Sequence, residues 1–235
     1  MAALESPHWE STPPETRQLL EKIGAFSFAR RFYLGGGTAL ALRLGHRISQ
    51  DFDFFSDKDS VDDGTRAEIL SGLRQTFPDL EVATDTIGDL TLSIFSRDVG
   101  FYSYRYKMLE SGDDVFGVQV AGLLDIAAMK LDAIAGRGAR RDFYDLYFLA
   151  QHFSLEEMFE RAQMKYSYRR FRDFPMIVMP YLNDFRNAEA QRPIETLPPV
   201  SWEEVRAFFL AEAQRLAKVW FLPTEEEDEG EEDDE

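Results

Sequence analysis

The chain of 235 residues has no cysteine, which excludes a disulfide framework, a thiolate metal site and a cysteine nucleophile. Its three histidines, His8, His46 and His152, are scattered and offer no zinc-like spacing. There is no apolar run of about eighteen residues and no signal-peptide pattern, so no membrane partner is expected and the cytoplasm is the expected compartment. The glycines at 35–37 are not followed by Gly-Lys-Ser/Thr, which excludes a Walker A loop. The acidic run Asp57, Asp59, Asp62, Asp63 fails the EF-hand template, because Val61 takes the fifth position and no glycine stands at the sixth. No internal repeat is evident.

What remains is a chain of ordinary apolar content, 44%, long enough for one domain or two small ones. Its net charge of -17 is a property of one end. Ten of the acids lie in residues 225–235, EEEDEGEEDDE, which leaves -7 for the first 224 residues. With no apolar residue, that tail is expected to be disordered, either as a solvated extension or as a mimic that engages a basic partner.

Residues 35–55, GGGTALALRLGHRISQDFDFF, join a glycine-rich turn, a short apolar helix and an Asp-x-Asp strand. Side chains alternate along a strand, so Asp51 and Asp53 share one side while Phe52 and Phe54 share the other. Two carboxylates on one side suit a shared magnesium ion. Gly35, Gly36 and Gly37 open a helix, where backbone N–H groups can approach an anion. A lone Asp-x-Asp is a weak signal, but apolar flanks make an uncompensated acidic pair costly unless a cation binds. The haloacid-dehalogenase use of Asp-x-Asp does not fit, because Arg47-Ile48-Ser49-Gln50 precedes the pair where a wholly apolar strand is needed.

Along the chain, Thr12-Pro13-Pro14-Glu15 predicts a helix start that runs to about Arg30, with Thr12 as cap. A second full helix is predicted over 63–77. Residues 80–106 then change period into three short strands, separated by turns at Gly88-Asp89 and Arg97-Asp98, and a further strand lies near 115–120. Helices follow at about 123–136, 140–152, 155–165, 174–187 and 201–219. The order predicts an α+β fold: an α/β half over 1–121 with a small mixed β-sheet, a helical half over 122–222, and the tail over 223–235.

A second constellation, MKLDAIAGRGARRDFYDLYFL from Met129 onward, places Lys130 in line with Leu123, Ala127 and Ile134. An ammonium on that inner face either pairs with Asp142 or Asp145 or is delivered to phosphate oxygens. Residues 161–172, RAQMKYSYRRFR, carry Lys165, Arg169, Arg170 and Arg172 among interleaved aromatics. That pattern suits acceptor binding through phosphates and stacked bases, or an ordinary solvated segment.

The two motifs together resemble the AbiEii/AbiGii family of nucleotidyltransferase-like toxins from bacterial type IV toxin–antitoxin systems. The similarity extends over about 32–218, including PYLNDFRNAE and SWEEVRAFF. The resemblance implies a fold similar to the DNA-polymerase-β-type nucleotidyltransferases and a magnesium-dependent transfer of a nucleotide from an NTP to an acceptor such as the 3′ end of tRNA. It also implies a cognate antitoxin partner. Carried over by position, Gly36, Gly37 and Thr38 would lie at the triphosphate with Ser49 beside them, and Asp51 and Asp53 would hold magnesium. Lys130 would neutralise the triphosphate, and Asp142 or Asp145 would complete the site. Many enzymes of this type draw a third carboxylate from a neighbouring strand, and Val99 to Tyr106 contains none. A nucleotide- or partner-binding module without catalysis, or phosphoryl transfer to a protein, are the alternatives.

Overall fold

The computed structural model describes residues 3–166 and 174–221. The acidic tail and the arginines 169, 170 and 172 therefore lie outside the described residues.

The Asp-x-Asp strand sits inside one mixed sheet. Its strands are β1 (Tyr33–Gly35), β2 (Phe52–Ser56), β3 (Glu81–Thr86), β4 (Asp89–Ile94), β5 (Arg97–Ser103), β6 (Asp113–Val115) and β7 (Val118–Val120), in the spatial order β3-β4-β5-β2-β1-β7-β6. The predicted meander β3-β4-β5 is antiparallel, and β5 joins it to β2 in parallel. The expected strand near 115–120 is a hairpin, β6 and β7, turning at Phe116-Gly117.

Alternation in Phe52-Asp53-Phe54-Phe55-Ser56 gives the sheet two different faces. Phe52 and Phe54 are fully buried, Phe54 stacks on Phe101 at 4.9 Å, and Phe28 and Phe32 meet Phe101 edge-on. Burying each such ring contributes about 1.5–3 kcal/mol. The other face carries Asp53 and Phe55 and turns toward the helical half.

The helices follow from their ends and apolar stripes. In α1 (Pro14–Gly24) the cap position is Pro13, and Thr12 instead donates to the Trp9 carbonyl. The expected helix to Arg30 stops at Gly24, where the chain lies so close to Phe116 O that a Cβ would collide, and a separate 3-10 turn, Ser27–Arg31, follows. Helix α2 (Gly36–Leu44) is closed by Gly45 in the left-handed region, φ 64°. Asp62 caps α3 (Asp63–Thr76) by accepting from the Thr65 N–H.

The helical half comprises α4 (Leu123–Gly136), α5 (Arg140–Leu149), α6 (Leu155–Lys165), α7 (Phe174–Val178), α8 (Arg186–Glu189) and α9 (Trp202–Phe221). The single helix predicted over 174–187 is broken by a 3-10 turn, Met179–Asn183, with Pro180 at its start. Helix α4 is apolar nearly all round and packs on α2, α5 and α6, which makes it the joint between the two halves. Among the described residues no helix is long and apolar enough to cross a membrane.

Candidate active site

Strand β2 brings Asp53 opposite Gly35 of β1 and Gly100 of β5. Neither neighbour has a side chain, so the carboxylate stands clear on the face turned toward α4. Gly36 adopts φ +65°, and a Cβ there would overlap the Asp53 carboxylate. A Cβ on Gly37 would lie 2.5 Å from Arg47 Nη2 and 3.1 Å from Ser49 Oγ. The two glycines thus let a helix start, an acid and a cation converge. No side chain caps α2 at Gly35, which leaves its first N–H groups without a side-chain acceptor.

Thr38 and Ser49 share a hydrogen bond at 3.0 Å, and the Thr38 hydroxyl donates to the Asp51 carbonyl. Ser49 lies beside the glycine turn, as expected. Thr38 is buried, and its hydroxyl ties the helix start to the acidic strand.

Around Asp53 opens a cleft of about 330 Å³, lined by Gly36, Phe55, Tyr104, Met129, Lys130 and Arg137. Burial pushes the Asp53 carboxyl above its ordinary value, while Lys130, Arg141 and Arg137 pull it down. Asp51 is partly exposed at the edge of β2, and its Oδ1 accepts from the Asp98 N–H at 3.3 Å.

That bond revises the reading of the neighbouring strand. The turn before β5 is at Phe95-Ser96, both residues in the left-handed region at φ 54° and 59°, and not at Arg97-Asp98. Asp98 is therefore on β5, one residue before the pair Val99↔Phe52, in register beside Asp51. Its side chain is exposed.

Lys130 stands at the inner end of the cleft, with its ammonium 3.0 Å from Asp142 Oδ1 and 2.6 Å from Asp145 Oδ2. Both acids expected near it are thus brought to it, three residues apart on α5. Both are fully buried and neither lines the cleft; they hold the Lys130 ammonium between them. Asp145 also accepts from Arg47 Nε at 2.6 Å and Nη2 at 2.9 Å and from His46 Nε2 at 2.8 Å. Asp142 takes both an Nε and an Nη2 bond from Arg137, at 2.8 and 2.9 Å. Burial opposes the charge on Asp145, but Arg47 and Lys130 outweigh it and hold the carboxyl well below its ordinary value. Asp142 is lowered in the same way, with Lys130 and Arg137 overcoming burial. Burial holds His46 below its ordinary value, so its neutral ring donates to Asp145 from Nε2, and its buried Nδ1 has no partner among the described residues.

Arg47 is the member of this cluster that sequence reasoning missed, while His46 reads from the sequence as lying near the glycine turn or packing in the core. Their partner lies about a hundred positions away, and only their place next to Gly45 hints at their role.

Lys165, expected on an acceptor-facing surface, is buried. Its ammonium binds Asp125 at 2.7 Å and the Lys107 carbonyl at 2.8 Å, which ties α6 to α4. Asp125, in the first turn of α4, is turned inward, where it accepts from Lys165 and from the Leu109 N–H.

The residues present fit a divalent cation. Asp51 and Asp53 supply hard oxygen ligands on one side of β2, and magnesium commonly takes one or two carboxylates together with water and substrate phosphates. Among the described residues no group of three or more acidic or histidine side chains is close enough to hold a metal.

The chain is similar to several known proteins. The family model described as nucleotidyl transferase AbiEii toxin, type IV TA system, matches residues 18–108 and 88–232. The uncharacterized protein aq_aa25 of Aquifex aeolicus (strain VF5) is 37% identical over 205 residues, covering 83% of this chain and 92% of its own length. Among solved structures, JHP933 from Helicobacter pylori has 18% identity and a TM-score of 0.47 over 87% of this chain and 91% of its own. ANT(2'')-Ia in complex with adenylyl-2''-tobramycin has 14% identity and a TM-score of 0.46 over 66% of this chain and 98% of its own. By the family match and the 37% identical relative, the chain belongs to the AbiEii family of nucleotidyl transferase toxins of type IV TA systems.

Proposed function

We propose that the protein transfers a nucleotide from an NTP to a hydroxyl acceptor, the 3′ end of an RNA such as tRNA, in a magnesium-dependent reaction restrained by a cognate antitoxin. The observation that carries this reading is the convergence of Asp53, the uncapped start of α2 and Lys130 on one cleft. The N–H groups of Gly36 and Gly37 receive phosphate oxygens, aided by the helix dipole. Lys130, held by Asp142 and Asp145, presents a fixed positive charge to the pyrophosphate side, where charge accumulates as the bond breaks. Asp51 and Asp53 would hold the magnesium, which when bound would supply a Lewis acid for the phosphoryl oxygens.

The acceptor oxygen bonds to the α-phosphorus, the bond from that phosphorus to the α–β bridging oxygen breaks, and pyrophosphate leaves. Asp98, set beside Asp51 by the β2–β5 register, is the side chain in this reading that takes the acceptor's proton. Asp98→Asn is expected to slow transfer by about 10²–10⁴-fold with NTP affinity unchanged. Unchanged turnover in that variant removes Asp98 from the scheme.

Incubation of the protein with magnesium, total RNA and NTPs labelled at either the α or the γ position tests the reaction. Label from the α position is expected in RNA, and none from the γ position. Label from the γ position alone, in RNA or protein, replaces nucleotidyl by phosphoryl transfer. One observation favours a second reading, NTP binding without transfer: the described residues hold no three-ligand metal group. NTP binding with no product from any RNA favours it.

A further inference from the structure

The ionic cluster behind the cleft holds more cations than acids among the described residues. Its acids are Asp142 and Asp145, and Lys130, Arg47 and Arg137 are paired with them. The His46 ring, kept neutral by burial, adds no charge. One positive charge is therefore left over. Lys130 and Arg47 are buried, whereas the Arg137 side chain is 52% exposed. The surplus is within reach of a ligand at Arg137 alone.

Arg137 occupies the C-cap position of α4, and its guanidinium is used on one edge only. Nε and Nη2 donate to the two oxygens of Asp142, at 2.8 and 2.9 Å, and Nη1 has no hydrogen-bond partner among the described residues. The carboxylate it grips is fully buried, and the Asn187 side chain donates to the Arg137 carbonyl, so the residue is held at both ends. A guanidinium fixed in this way keeps rigid donors for a second anion. Charge balance at Asp142 does not require it, because Lys130 already donates to the Oδ1 that Arg137 Nη2 also takes.

Asp53, Lys130 and Arg137 all line the cleft. Burial raises the Asp53 carboxyl, and of the cations that oppose it Lys130 acts more strongly than Arg137, which sets Arg137 farther from the acidic strand. The order along the cleft is thus acid, ammonium, guanidinium. In the transfer reading the α-phosphorus lies at Asp51 and Asp53 and Lys130 faces the pyrophosphate, so the next cation outward meets the end of the phosphate chain.

We propose that Arg137 binds the terminal phosphate of the NTP through its free Nη1 side and so makes the cleft select a triphosphate over a diphosphate. This inference rests on the transfer reading for the direction in which the nucleotide lies.

Calorimetric titration of the full chain with each of the four NTPs and the matching NDPs, in magnesium and without an acceptor, tests it. The wild type is expected to bind its preferred NTP about tenfold or more tightly than the NDP, the value of one hydrogen bond between charged groups. Arg137→Gln is expected to keep the wild-type NDP affinity and to lose that preference. In Arg137→Lys an ammonium without the planar fork cannot grip Asp142 and a phosphate together, so this variant is expected to melt near the wild-type temperature and to recover only part of the preference. It decides the matter if Arg137→Gln does not fold.

A residue that only holds Asp142 would, when replaced, lower the melting temperature and weaken NTP and NDP alike, and an unchanged ratio of the two affinities overturns the proposal. Equal NTP and NDP affinities in the wild type overturn it as well. An unchanged ratio with weaker RNA binding gives Arg137 to the acceptor instead. If the ratio behaves as stated and no α-label reaches RNA, the phosphate subsite stands and the transfer reading falls. If label is transferred and the ratio is the same in both variants, the transfer reading stands and the role of Arg137 falls. No NTP binding by the wild type overturns both.

Discussion

The two walls of the cleft are built on opposite terms. On the α4–α5 side, Lys130, Asp142, Asp145, Arg47 and His46 are nearly all sealed from solvent, and every charge there meets an opposite one within about 3 Å. On the sheet side, Asp51 and Asp53 are partly exposed, meet no cation in an ion pair among the described residues, and one of them is held above its ordinary carboxyl value by burial. The first wall is finished without a ligand. The second is completed by one, and of the first wall's five residues only Lys130 lines the cleft, while the others hold it in place.

The largest effect expected from this contrast is on stability at the closed wall. Asp145→Ala leaves Arg47 and Lys130 buried without their shared acid, and removal of one member of a buried ionic cluster costs about 3–5 kcal/mol. Chemical denaturation of the variant should show that loss; a change below about 1 kcal/mol would place the two walls on equal terms.

A smaller effect of opposite sign is expected at the open wall. The raised Asp53 value means that the folded state holds its proton more firmly than the unfolded chain does, so in metal-free protein stability falls as pH rises from about 4, the unfolded value, through the raised folded value. Asp53→Asn should remove that slope and gain stability at neutral pH, while transfer is lost. Thermal melts across pH in the absence of magnesium check it, and a variant less stable than wild type at neutral pH contradicts the assignment.

Most of the open wall is legible in the sequence. Alternation in Asp51-Phe52-Asp53-Phe54 separates acids from core, the three glycines announce a helix start without a side-chain cap, and the helical spacing of Lys130 puts it on an inner face. The closed wall is legible only in part, because its bonds are long-range. Nothing near Arg47 indicates a partner 98 positions on, and Lys165, which reads as part of a basic surface, is drawn inward by Asp125, 40 positions before it. The missed acid has a different cause. Turns are marked in sequence by glycine, asparagine and aspartate, and the hairpin between β4 and β5 turns instead on Phe95-Ser96, at left-handed φ without any of these. That shifts the apparent turn onto Arg97-Asp98 and removes Asp98 from the strand. The break at Pro180 between α7 and α8 is open to view, but a single proline within an apolar run reads equally as a kink.

The central claim is that Asp51 and Asp53 are the reacting edge of the site and the buried cluster is its support. Transfer of α-label to RNA by Asp51→Ala, measured beside its melting temperature, tests that claim most directly. The account predicts a melting temperature close to that of the wild type and transfer reduced by at least a thousandfold, roughly 4 kcal/mol of transition-state stabilisation. Transfer at the wild-type rate in a folded Asp51→Ala protein would contradict it.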